Sequence, residues 1–291
     1  MATTPDRIFA SLLADATLTH EQAQERIAAA LDVNYWTSLA PGLRITDHLT
    51  HSNKSDRDFS VESAKLTRDG YCRIRQAIDR DSLALVNTAL DVVIAAKWPP
   101  VFAIVYDAVW NVVRSASTVQ FARQLLGPDC RQIPKVWPHI VRPGPGASGY
   151  PPHVESQQPE GKVTAWIALT DVTVDDACMY VVSRAASPAD DATQMLQDVT
   201  ALPVDAGDML VWSFDVLHWG GRLLGSRERR ALSIELISST ATPGADETPT
   251  LSLAESPSFR DRLRLIAWGV RALSAREPLL RRFGEVADAL R

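Results

Sequence analysis

The chain has 291 residues, 46% hydrophobic and 22% charged, enough to bury a sizeable core as one large domain or two small ones. A net charge of -5, a pI near 5.7 and no run of like charge argue against nucleic acid or an anionic membrane surface as partner. No 18-residue apolar stretch occurs, and "MATTPDRIFASLLADATLTHEQ" breaks its apolar part with Asp6 and Asp15, so neither a membrane span nor a secretory signal is expected and the default is cytoplasmic.

The first expected element is an amphipathic helix, His20–Leu31, followed by a polar loop around "THSNKSDRDFS". Residues Leu66–Ile78 then read as a turn and a short strand, with Tyr71, Arg73 and Arg75 alternating against Cys72, Ile74 and Gln76. Leu83, Val86, Leu90, Val93 and Ile94 recur at helical spacing, and Pro99 and Pro100 are expected to stop that helix. A second helix, Thr118–Leu126, meets a natural cap in Gly127. The three cysteines, Cys72, Cys130 and Cys178, are odd in number and lack a CxxC, which reads as buried thiols in a reducing compartment.

From Arg131 the texture becomes β. "RQIPKVWPHIVRPGPG" suits an edge strand because of its prolines. "KVTAWIALTDV", "CMYVVS", "DMLVWSF" and "RALSIELIS" follow, separated by turn-rich connections, and suggest an all-β barrel or jelly roll with helices gathered before and after it. A C-terminal helix is expected with Ser256 as cap and Pro257 in its first turn; its stripe of Phe259, Leu263, Ile266, Val270 and Leu273 should pack on the barrel.

Within "GYPPHVESQQ", residues 149–158, His153 and Glu155 stand two apart. In extended backbone both side chains lie on one side and can reach one ion. An HxE pair arises by chance in many loops, so a third ligand is needed. Of the six histidines, His218 in "WSFDVLHWGGR" is the best placed, at the end of an apolar strand and close to two glycines. His20, His48 and His51 fall outside the β zone, and His139 lacks a carboxylate two residues away. Two histidines and one carboxylate make a facial triad that leaves other coordination positions open. Arg229, eleven residues after His218, is suited to a two-pronged bond with a dicarboxylate. On its strand Arg229, Ala231, Ser233 and Glu235 share one face, and Arg230, Leu232, Ile234 and Leu236 the other. Ser233 could therefore assist Arg229.

These stretches resemble the phytanoyl-CoA dioxygenase-like Fe(II)/2-oxoglutarate oxygenases from about Leu66 to Ser238. "DGYCRIRQAID" is similar to the family's opening strand, "QLLGPD" to the end of its helical insert, and "VTAWIALTDVTVDDACMYVV" to the strand pair after the metal motif. "DAGDMLVWSFDVLHWGGR" followed by "RRAL" resembles the distal histidine strand and the arginine that grips 2-oxoglutarate. The resemblance implies a mainly β fold with flanking helices, a double-stranded β-helix of jelly-roll or cupin-like type. Residues 1–291 would form a single oxygenase domain, with a helical extension (1–60), a β-helix core with helical insert (61–245) and a C-terminal helix (255–291). It implies iron held by His153, Glu155 and His218, and 2-oxoglutarate held by Arg229 and Ser233 with Trp166 nearby. O2 is the second cosubstrate, and a small-molecule metabolite is oxidised, most commonly by hydroxylation, with release of succinate and CO2.

Two departures bear on the substrate. The family usually has Asp where this chain has Glu155, which keeps the charge and lengthens the reach. Its usual "PGSH" is replaced by "SRAASP", Ser183–Pro188, so fatty acyl-CoA is not indicated. The Gly/Pro segment Arg142–Pro152 reads equally as a lid or a rigid connector, and Trp137, His139, Gln157, Asp215 and Trp219 flank the ligands as candidate pocket residues. The alternatives are a cupin-like metalloenzyme without 2-oxoglutarate and a catalytically silent barrel acting as a binding module.

Overall fold

The computed structural model describes residues 18–51, 55–156, 158–184, 197–244, 249–275 and 277–291. In chain order these form α1 (His20–Leu31), α2 (Val33–Leu39), α3 (Ser60–Asp69), β1 (Tyr71–Ile74), α4 (Arg80–Ala95), a 3-10 helix (Pro100–Val105), α5 (Asp107–Val113) and α6 (Ala116–Leu126). Next come β2 (Arg131–Val141), β3 (Lys162–Ala168), β4 (Met179–Val182), β5 (Val199–Leu202), β6 (Met209–Ser213), β7 (His218–Gly220) and β8 (Arg229–Ile237). The C-terminal part holds α7 (Phe259–Leu273), α8 (Pro278–Arg281) and α9 (Gly284–Ala289). The chain divides into two compact units, one drawn from Met1–Leu49, Leu85–Trp110 and Ser256–Arg291, the other from Thr50–Ala84 and Asn111–Glu255.

The first unit is helical around an aromatic cluster. Trp36 lies with ring centroids 5.1 Å from Trp98 and 5.9 Å from Phe102, and Phe283 joins Trp98 at 5.8 Å. Arg262 on α7 is fully buried yet satisfied: it pairs with Asp107 at 2.8 Å and donates to the carbonyls of Val105 and Thr46. The cap of α7 is Ser258, which accepts from the Asp261 amide, rather than Ser256, whose own amide bonds to Leu49 O. Its stripe, expected on the barrel, packs instead against helices: the 3-10 segment, α9, α8 and α1.

The second unit holds two antiparallel sheets, a five-stranded one in the order β1-β6-β3-β8-β2 and a three-stranded one in the order β5-β4-β7. Tyr71, Trp166, Leu210, Trp212 and Ala231 of the large sheet share one buried cluster with Met179 and Val181 of the small one, so the two sheets enclose a common core. This is the mainly β, jelly-roll-like architecture that the strand pattern predicts. β2 is an edge strand as its prolines require, with a bulge between Gln132 and Val136 that accommodates Pro134. The three cysteines are buried and free.

Several local expectations need correction. The segment beginning at Leu66 opens as helix and not as a turn before the expected short strand: α3 runs to Asp69, supported by a Lys65–Asp69 pair at 2.5 Å, and Gly70 ends it at φ 81. The strand is only Tyr71–Ile74. Pro99 and Pro100 do not end the preceding helix, which stops at Ala95, and Pro100 instead opens the 3-10 helix, where its missing N–H costs nothing. The β6 strand ends at Ser213, so His218 does not close it; His218 begins β7 in the other sheet.

One connection places the site. The Gly/Pro segment is pinned along β7: Gly149 N donates to Gly221 O, Gly220 N to Tyr150 O, and His153 and His218 exchange both backbone hydrogen bonds at 3.0 Å. The close approach needs glycine on both sides, since a Cβ on Gly149 would sit 2.6 Å from Gly220 Cα and one on Gly220 2.6 Å from Gly149 Cα. Gly149→Ala should therefore destabilise by about 1–3 kcal/mol through overpacking against backbone. Gly42→Ala, with nothing within 4 Å, is the control. Equal denaturation midpoints for the two variants would contradict this packing.

Candidate metal centre

The reciprocal pairing sets the His153 and His218 rings side by side, tilted at 51° with centroids 4.3 Å apart. Glu155 follows two residues on, its amide bonded to Phe214 O. Its Oε1 lies 3.6 Å from His218 Nε2 and accepts from the Thr164 hydroxyl at 3.3 Å. One ligand atom from each of the three residues falls within 4.8 Å of the others, a spacing that suits a single ion.

The donor set fits a metal. His153 Nδ1 meets Pro151 O at 2.7 Å, and His218 Nδ1 meets Val216 O at 2.9 Å. Each carbonyl holds the proton on Nδ1, which leaves Nε2 as a lone-pair donor. His218 is buried, and this desolvation lowers its pKa against the opposing pull of the Val216 carbonyl and Glu155, favouring the neutral form that a metal needs. Two imidazoles and one carboxylate suit a borderline divalent cation such as Fe(II).

Beside the triad, the inner face of the large sheet carries the cosubstrate candidates. The register pairs Trp166 with both Leu210 and Ser233, and Ser233 with Trp137, so these side chains share the core side. Arg229 belongs to the same face and Arg230 to the other, as the alternation predicts. Arg229 is buried, lies over the Trp166 ring at 5.5 Å, and donates from Nη1 to Ala177 O at 2.9 Å, while its Nε has no hydrogen-bond partner among the described residues. Burial brings its pKa down to about 10, so it remains charged at neutral pH. Arg230 pairs with Glu228. The Ser233 hydroxyl meets His139 Nε2 at 2.9 Å rather than Arg229.

Other flanking residues separate. Trp137 and His139 face the core, and Tyr150 packs edge-on between the rings of His139 and His153, at 5.7 and 6.4 Å. Trp219 alternates with His218 and stacks on Tyr180 at 5.5 Å, while Asp215 pairs with Arg184 at 2.5 Å. Gln157 and most of the Ser183–Pro188 segment lie outside the described residues. Sequence reasoning undervalued His139, because its signal is its place opposite Ala231 in the sheet and not a neighbouring carboxylate. It also missed Thr164, Trp212 and the Lys135–Glu235 ion pair on the same face.

His139 provides a pH test. Lost solvation, then the charge of Arg229, hold its pKa well below 6.5. Below pH 6.5 the unfolded chain takes up a proton that the folded one refuses, so stability falls with pH, by at most about 1.4 kcal/mol per unit for this group. Metal-free protein should lose more stability between pH 7 and pH 5 than its His139→Gln variant does. Equal losses, measured by urea unfolding, would contradict the assignment.

The comparisons with known proteins agree with this geometry. Residues 107–231 match the family model described as phytanoyl-CoA dioxygenase (PhyH). No curated protein matches the chain. Among solved structures, the fold is similar to SnoN, a non-heme alpha ketoglutarate dependent epimerase from nogalamycin biosynthesis, solved with Fe3+, alpha ketoglutarate and nogalamycin RO (17% identity, 67% of this chain and 94% of that chain, TM-score 0.54). It is also similar to the non-heme monooxygenase ThoJ as its Ni complex (20%, 67% and 84%, 0.55). A third is SnoK, a non-heme alpha ketoglutarate dependent carbocyclase (18%, 67% and 88%, 0.51). Residues 107–231 are thus similar to the phytanoyl-CoA dioxygenase family, and the solved structures share the fold of this chain.

Proposed function

We propose that the chain is an Fe(II)- and 2-oxoglutarate-dependent oxygenase that oxidises a small-molecule metabolite, with hydroxylation as the outcome and residues 1–291 working as one oxygenase domain. His153, Glu155 and His218 would hold the iron; Arg229 would hold the distal carboxylate of 2-oxoglutarate, with Trp166 and Ser233 beside it. The observation that carries this reading is the convergence of three ligand atoms within 4.8 Å, with both Nδ1 atoms already committed to backbone carbonyls. When bound, iron with 2-oxoglutarate and O2 supplies the oxidation of a C–H bond, while the cosubstrate becomes succinate and CO2.

The remaining work falls to the chain's own residues. Thr164 orients Glu155, and the Pro151 and Val216 carbonyls fix the two imidazoles. The Trp166 ring packs against the Arg229 guanidinium and restricts its motion, so little ordering is left when a carboxylate arrives. SnoN and SnoK, described as an epimerase and a carbocyclase, are reminders that this fold carries outcomes besides hydroxylation. Free buried thiols suit a reducing, cytoplasmic setting, and among the described residues no helix is long and apolar enough to cross a membrane.

The decisive assay is succinate formation on addition of Fe(II), O2 and 2-oxoglutarate, stimulated by the true substrate in a metabolite screen. Turnover that ignores 2-oxoglutarate would sink the proposal. A sharper test compares adjacent arginines. Removing one partner of a buried charge pair costs on the order of 3–5 kcal/mol, or about a hundred- to several-thousand-fold in affinity. Arg229→Ala should weaken 2-oxoglutarate binding to the anaerobic iron complex on that scale, with iron affinity largely kept, whereas Arg230→Ala should change little. If Arg230→Ala shows the larger loss, the cosubstrate does not sit on the face assigned to it.

A further inference from the structure

Trp212 is an inner-face residue that neither the metal reading nor the cosubstrate reading uses. On β6 it stands opposite Tyr71 on one side and Thr164 on the other, at the same level of the sheet as the residue that contacts Glu155. Its ring lies 4.6 Å from that of His218 at 41°. Trp212 is 2% exposed, and its Nε1–H has no hydrogen-bond partner among the described residues. Three other buried indoles spend their N–H on protein acceptors: Trp36 on Ala30 O, Trp110 on Ile104 O and Trp98 on the Tyr35 hydroxyl. An unpaired buried N–H costs on the order of 1–3 kcal/mol, a cost that a ligand acceptor would remove.

We infer that Trp212 Nε1 is a positioning donor to an acceptor oxygen at the metal-binding end of 2-oxoglutarate. The inference rests on the proposed function and extends it to a residue outside both ligand sets. Arg229 lies over Trp166, next to Ser233, and takes the distal carboxylate, whereas Trp212 touches His218 itself. A donor there meets whatever oxygen is held beside the metal ligands. The keto-acid end carries partial and full negative charge on its oxygens, the type of acceptor that makes the stronger hydrogen bonds.

The test uses zinc in place of iron, so that indole N–H signals of 15N-labelled protein can be followed without paramagnetism or turnover. The Trp212 signal is identified as the one missing from Trp212→Phe. It should stay near its place when zinc is added and move clearly when 2-oxoglutarate follows. Trp212→Phe keeps the ring against His218 and should bind zinc within about twofold of wild type, while its Kd for 2-oxoglutarate rises about ten- to a hundredfold. A signal that ignores 2-oxoglutarate, or that moves fully on zinc alone, would overturn the inference and assign the donor to bound water or a substrate oxygen. An unchanged Kd in Trp212→Phe would overturn it as well. Failure of the underlying reading looks different, because wild-type protein would then bind no 2-oxoglutarate with zinc present. The wild-type titration stands even if the variant folds poorly.

Discussion

The site depends on one short antiparallel pairing, in which His153 and His218 exchange both backbone hydrogen bonds across the join between the Gly/Pro segment and β7. Residues opposite one another in such a pair project to the same side, so the pairing brings two imidazoles together that are 65 positions apart in the chain. Everything else in the centre is hung from it. Glu155 follows at the spacing extended backbone requires, and the paired glycines, Gly149 and Gly220, let the two backbones approach closely enough for the bridge to form. The segment that reads from sequence equally as lid or connector is thereby a connector where it meets β7.

Electrostatics then divides the inner face. Loss of solvent keeps His218 and His139 neutral, ready to donate lone pairs or accept hydrogen bonds, while Arg229 stays positive. A buried cation whose Nε is unpaired is costly by itself and becomes favourable when an anion completes it. On the proposed reading, the His153–Glu155–His218 end and the Arg229 end of the face would take ligands of opposite kinds, which a metal-chelating dicarboxylate would satisfy together.

Much of this was legible in the residues. Strand alternation in "RRALSIELI" assigned Arg229 and Arg230 to opposite faces, and the prolines of β2 marked an edge, because a period of two and a missing N–H are local facts. The HxE spacing and a distal histidine pointed to the triad for the same reason. What stayed hidden was set by distant partners. His218 begins a strand of the small sheet and does not end one of the large sheet, a fact created by the turn after Ser213. Ser256 is the cap expected from sequence, but it is Ser258 that accepts the cap bond from the Asp261 amide, while the Ser256 amide is bonded to Leu49 O. Thr164, Trp212 and His139 look like ordinary strand residues until their contacts with Glu155, His218 and Tyr150 are seen.

The central claim is that two imidazoles and one carboxylate hold a single iron. X-ray absorption of anaerobic Fe(II)-loaded protein tests it most directly. The account predicts one iron per chain, with scattering from two histidine rings in wild type and one in His218→Ala, alongside a large loss of affinity. Undiminished iron binding in His218→Ala with an unchanged histidine signature would contradict it.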